Sequence, residues 1–162
     1  MKVGKTMISN ERQYKVTKQQ LNKLKEAIAK FNLLSTTQQV GSDILATAEL
    51  EALKSEAENL YDQLLEYEKL KSGTITKLRA SSLSEIPRIL IRGRIIQHLS
   101  QRELADLVGL KEQQIQRYES EEYSSASLKR ISKIADALKI SVNEIAEIEP
   151  IALNKVSEKR RG

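Results

Sequence analysis

Leu99-Ser-Gln-Arg-Glu-Leu-Ala-Asp-Leu-Val-Gly-Leu-Lys-Glu-Gln-Gln-Ile-Gln-Arg-Tyr-Glu119 carries the clearest structural instruction in the sequence. Leu104, Val108, Leu110, Ile115 and Tyr118 place apolar side chains on one side of two short helices. Gly109 stands between them, where a left-handed backbone conformation costs glycine little. Ala105 stands where the two helices approach most closely, and a larger side chain there would push them apart. The small residues at these two offsets, added to the apolar spacing, specify a helix pair joined by a tight turn.

The flanking sequence is helical too. Aromatic residues make up 4% of the chain, Pro occurs twice, and apolar residues rarely alternate with period two, so the fold is predicted to be all-α. Five helices are expected over residues 84–148, at 84–97, 101–108, 111 to 119 or 120, 127–138 and 142–148. Ser84, Ser100, Ser127 and Ser141 offer N-caps, and Pro87 falls in a first turn where its missing N–H does no harm. Residues 73–83 read as a linker, and 149–162 as a basic tail.

Before the linker, residues 1–72 predict an antiparallel, coiled-coil-like helical hairpin. A first helix is expected from Thr17, with Gln20 in capping-box position, to Phe31; a loop follows over 35–42. The second helix spans about Asp43 to Ser72, with Gly73 as its stop, and carries a seam of Leu50, Leu53, Ala57, Leu60, Leu64 and Tyr67. The hairpin's halves are opposite in charge: residues 1–40 hold eight Lys/Arg against two acids, residues 41–72 three against eight. The short first helix covers only part of the seam. The hairpin therefore either serves oligomerisation or partner binding, or packs against its own C-terminal domain.

Several function classes are excluded by composition. The chain has no Cys and one His, His98, which leaves no metal cluster and no nucleophile–base set. No phosphate loop or dinucleotide fingerprint is present, so neither an enzyme nor a cofactor is expected. No apolar run approaches a membrane span, which points to a cytoplasmic protein. One Phe and five Tyr form no stacking platform for single-stranded nucleic acid. The net charge of +5 is modest, and residues 83–148 balance at ten basic and ten acidic residues. Charge alone therefore identifies no partner.

Through Leu99-Ser100-Gln101, Glu103-Leu104-Ala105, Val108-Gly109-Leu110, Ile115 and Arg117-Tyr118-Glu119, residues 84–148 resemble the Cro/lambda-repressor (XRE) helix-turn-helix family. The block Lys111–Glu119 with Glu122–Leu128 is more similar to HigA-like antitoxins and regulators. Ile8–Tyr14 and Glu66–Gly73 share that similarity more loosely. The resemblance implies a lambda-repressor-like domain in a bacterial or phage transcriptional repressor of double-stranded DNA. Two residues depart from the family pattern. Lys111 stands where Ser or Thr is frequent, so that helix must be capped from elsewhere. His98 replaces a frequent Gly, and His is among the residues that tolerate positive φ.

By the same resemblance, residues 111–118 form the recognition helix, with Glu112, Gln113 and Arg117 as the main base readers and Gln116 a weaker one. Arg can donate twice to guanine, Gln can pair with adenine, and Glu can accept from cytosine. Gln101 takes the family's phosphate-binding position, with Arg102, Lys111, Ser124 and Ser125 as further phosphate contacts. Arg94 and Glu119 match a family ion pair that aims the recognition helix, and with Ala105, Gly109 and Ile115 are read as structural. Arg88 and Arg92 are read as a solvated face. A two-fold homodimer on an inverted repeat is expected, joined either by the last helix (Ile140, Val142, Ile145, Ile148) or by the hairpin. The HigA-like similarity implies an alternative, an antitoxin that neutralises a ribonuclease toxin partner and represses its own operon.

Overall fold

The structure, a computed structural model, describes residues 7–75 and 77–143. Its first helix, α1 (Glu11–Lys30), starts well before Thr17. The cap is Asn10, whose Oδ1 accepts the Gln13 N–H at 2.9 Å. Thr17 is buried inside the helix, so Thr17 and Gln20 form no capping box. The stretch expected as a loop is helix α2 (Leu33–Val40), capped by Asn32 and closed by Gly41 at φ 72°. Ser, Thr and Gln contribute little intrinsic stability here; the two end caps and packing against the next helix override propensity.

That next helix, α3 (Asp43–Lys71), is capped by Ser42 and followed by Gly73 at φ 69°. At 29 residues it is about 44 Å long, against about 30 Å for the 20 residues of α1. It runs antiparallel to α1: Glu11 meets Lys71, and Lys25 lies 5.9 Å from the Tyr61 ring centroid. The longer α1 and the added α2 cover more of the seam than the sequence indicated. Leu60, Leu64 and Tyr67 are buried, while Leu50, Leu53 and Ala57 are half-buried.

A 3-10 turn at Leu83–Glu85 leads into α4 (Ile86–Ile96), with Pro87 in its first turn. Ser84 caps nothing; its hydroxyl pairs with that of Ser82. Then come α5 (Gln101–Val108), α6 (Glu112–Ser120) and α7 (Leu128–Ala137), the last capped by Ser127. Of the helix expected at 142–148, Val142 and Asn143 are non-helical and the rest lies outside the described residues. So do the capping role of Ser141, the dimer-contact residues Ile145 and Ile148, and the basic tail. Among the described residues the fold is all-α, with seven α-helices and no strand. No helix among them is long and apolar enough to cross a membrane.

Among the described residues, the segment after Lys71 contains no helix until Leu83, yet it does not separate two cores. Ile8, Leu21, Leu64, Tyr67 and Leu70 join Leu90, Ile91, Ile95, Leu104, Ile115, Ile134 and Leu138 in one continuous apolar cluster. The lower end of the hairpin thus packs against its own C-terminal helices. Ile140 is committed to the same core: a Cβ on Gly93 would lie 2.5 Å from its Cδ1. Its half-buried side chain therefore packs partly within the chain, while Val142, the other described residue of the expected dimer contact, is exposed.

Candidate nucleic-acid interface

The first helix of the pair is set by Ser100. Its Oγ accepts the Glu103 N–H at 3.1 Å, and Glu103 Oε2 accepts the Ser100 N–H at 2.7 Å, a reciprocal capping box. The Ser100 backbone N–H, then its hydroxyl, hold the Glu103 carboxyl below the usual range. Helix α5 closes at Gly109 (φ 68°), and the Leu110 N–H reaches back to the Ala105 carbonyl at 2.9 Å. Ala105 is 1% exposed and Ile115 fully buried, so α5 and α6 pack without a gap. His98, before α5, sits at φ 59°.

Lys111 precedes α6 and has no side-chain acceptor to offer its free N–H groups. The reciprocal half of the cap comes from Gln114, whose Oε1 accepts the Lys111 N–H at 3.1 Å. With Ile115 and Glu119 turned inward, α6 presents Glu112, Gln113, Gln116 and Arg117, all exposed. Gln116 Nε2 donates to Glu112 Oε1 at 2.9 Å. Arg117 lies 5.8 Å from the Tyr118 ring centroid and, among the described residues, forms no ion pair.

Beneath this face lies a buried polar network. Arg94, 2% exposed, donates from Nε to Glu119 Oε1 and from Nη2 to Glu119 Oε2, both at 2.6 Å. It also donates to the carbonyls of Leu99 (2.7 Å) and Ser9 (2.6 Å). A guanidinium fork that meets a carboxylate in this way fixes both distance and angle between α4 and α6. Gln101 belongs to the same network. Its Nε2 donates to Glu119 Oε2 at 2.7 Å, its Oε1 accepts from Asn10 Nδ2 at 3.5 Å, and the residue is 8% exposed. The side chain expected to hold a phosphate is thus engaged inside the protein. What the start of α5 leaves open is the pair of backbone N–H groups of Gln101 and Arg102.

The outer face of α6 is one wall of a cleft of about 1000 Å³. Gln101, Glu112, Gln113, Gln116 and Arg117 all line it; Arg102, Lys111, Ser124 and Ser125 do not. Those four are exposed nearby, with Ser125 Oγ donating to Glu121 at 2.7 Å. The opposite wall is formed by Ser9, Asn10, Arg12, Gln13 and Val16 from the start of α1, residues that sequence reading did not place at the site. The one available sign was the Asn10-x-x-Gln13 spacing, a helix-start pattern. Arg88 and Arg92 are ion-paired, to Glu122 (2.9 Å) and Glu66 (2.5 Å), and so are not free solvated cations.

Residues 90–145 match the family model described as helix-turn-helix, a span that takes in α5, α6 and α7 whole. No curated protein and no solved structure matches the chain.

Proposed function

We propose that the chain is a transcriptional repressor that binds double-stranded DNA sequence-specifically through α5 and α6. The observation that carries this reading is the division of α6. Its inner side is locked by Ile115 and the Arg94–Glu119 pair, while Glu112, Gln113, Gln116 and Arg117 stand exposed along its outer side. The helix-turn-helix match over the same residues supports it.

In this mechanism the N-terminal half of α6 enters the major groove. Arg117 donates to a guanine, Gln113 pairs with an adenine, and Glu112 accepts from a cytosine. The open N–H groups of Gln101 and Arg102, with the Arg102 and Lys111 side chains, hold phosphates and fix the register without reading sequence. Two copies related by a two-fold axis would set their recognition helices about 34 Å apart on an inverted repeat. The activity is binding; no catalytic step is assigned to the chain.

The test is a titration of a duplex recovered by selection, alongside a scrambled duplex, at one salt concentration. Arg117→Ala is expected to lose roughly 1–3 kcal/mol on the selected duplex and almost nothing on the scrambled one. Equal losses would make Arg117 a phosphate contact, and a wild-type chain that binds neither duplex would end the reading.

A second reading, an antitoxin that also binds a toxin protein, is favoured by one observation. At the far end of the hairpin Ile44 is 80% and Leu45 57% exposed, apolar side chains suited to a protein partner. Co-purification with the product of an adjacent gene, lost in an Ile44→Ser/Leu45→Ser variant, would support it.

A further inference from the structure

We infer that the DNA interface has a second wall, built by the first turn of α1, from which Arg12 contacts the sugar-phosphate backbone. The inference rests on the DNA-binding reading above, but not on any role for the recognition-helix side chains.

The polar groups around Arg12 are already engaged. The Ser9 N–H and hydroxyl both donate to Gln13 Oε1, at 2.8 and 3.0 Å, and the Ser9 carbonyl accepts from Arg94. Asn10 caps α1 with its oxygen and reaches Gln101 with its nitrogen. Glu11 accepts from Lys71 at 2.5 Å and from the Tyr67 hydroxyl at 3.2 Å. The Arg12 side chain is exposed and, among the described residues, makes neither an ion pair nor a hydrogen bond.

The charges lining the cleft sort in the same way. Lys71 is neutralised by Glu11 and Arg94 by Glu119, while Glu112 accepts from the neutral Gln116 amide and keeps its negative charge on the α6 wall. Among the described residues, the two cations of the cleft left without a counter-charge are Arg117 on one wall and Arg12 on the other. A cleft flanked by one free guanidinium on each side suits a polyanion. A helix seated in the major groove has a phosphate backbone running beside it.

Arg12 is also held in place. Ser9 and Asn10 are tied to Arg94 and Gln101, and one turn later Tyr14 stacks on Tyr67 with ring centroids 5.3 Å apart. The backbone that carries the guanidinium is therefore ordered before DNA arrives, which lowers the entropic cost of the contact.

The experiment uses the full chain, a selected and a scrambled duplex, and a series of salt concentrations. Arg12→Ala is expected to weaken binding to both duplexes by a similar factor, on the order of tenfold at low salt. It should reduce the slope of log K against log salt by roughly 0.9, the signature of one lost phosphate contact. Arg12→Lys should keep the slope, and both variants should melt like the parent, since Arg12 supports no contact in the fold. If Arg12→Ala leaves affinity and slope unchanged while Arg117→Ala weakens binding, the second wall fails and the recognition reading stands. Tighter binding by Arg12→Ala would show that α1 obstructs DNA, and a changed preferred sequence would show base contact; either overturns the assignment. A wild-type chain that binds no duplex overturns both readings.

Discussion

The two ends of the N-terminal hairpin are made of the same helices and meet different fates. At the lower end Tyr67 and Leu70 are buried, Glu11 holds Lys71 and Tyr67, and Ser9 and Asn10 are bonded to Arg94 and Gln101. Burial and the charge of Glu11 push the Tyr67 hydroxyl up to about 12, so it remains a donor throughout the physiological range. At the upper end Leu50 and Leu53 are half-buried and Ile44 is largely exposed. A helix about 44 Å long is thus supported along part of its length, by whatever lies under each turn. The lower end belongs mechanically to the helix-turn-helix, and the upper end stands clear of it.

The comparison breaks most sharply at Glu119. Glu119→Ala leaves the Arg94 guanidinium buried without its counter-charge and should cost about 3–5 kcal/mol, read as a fall in the denaturation midpoint. It should also release the start of α1, seen as faster proteolysis there. A variant that melts like the parent would mean the network does not join the two regions.

Next in size is Leu64→Ala, at about 2–5 kcal/mol for a buried leucine. Leu53→Ala, three turns nearer the upper end and half-buried, should cost distinctly less. Equal losses would show that the upper end is as well supported as the lower.

A smaller effect comes from acid. The hydrogen bond from Lys71, then that from Tyr67, holds the Glu11 carboxyl below its usual range despite some opposing desolvation. A depressed carboxyl contributes stability that is present above its unfolded value, roughly 4.3, and lost as pH falls through the folded value. Glu11→Gln should therefore flatten the acid limb of a pH–stability curve; an unchanged limb would remove Glu11 from the lower clasp. Smallest is Ile44→Ser, expected within about 0.5 kcal/mol of the parent by denaturant melting. A larger loss would place Ile44 in a packed contact.

Legibility in the sequence followed the range of the forces involved. The bounds of α5, its Ser100 cap and the turn at Gly109 are demands that single residues make on their own neighbourhood, and they can be read directly. Helix α2 could not be, because its Ser, Thr and Gln residues argue for a loop and only its end caps and the surface of α3 argue otherwise. The start of α1 was ambiguous for a different reason. Asn10 and Thr17 are each followed by Gln three residues later, and only the burial of Thr17 decides between them. At the site, the exposed positions of α6 follow from helical periodicity. The engagement of Gln101 does not, since it depends on the buried Glu119 carboxylate beside it and on Asn10, 91 residues away. Nor does that of Arg94 with the Ser9 carbonyl, which leaves no mark in a sequence at all.

The buried amides have a direction. Both Glu119 oxygens accept, from Arg94 and from Gln101, so Gln101 must turn its nitrogen toward that carboxylate and its oxygen away. Asn10 answers that oxygen with its own nitrogen, which leaves Oδ1 free to cap α1 through the Gln13 N–H. One negative charge beneath the recognition helix thereby sets the orientation of two amides and, through them, the polarity of a cap on another helix. Asp at position 10 would cap α1 equally well but would face the Gln101 oxygen with an oxygen. If Gln101 then flipped, the same clash would move to Glu119. The exchange of one NH2 for one oxygen would keep every helix and break one link in the chain of bonds that docks them.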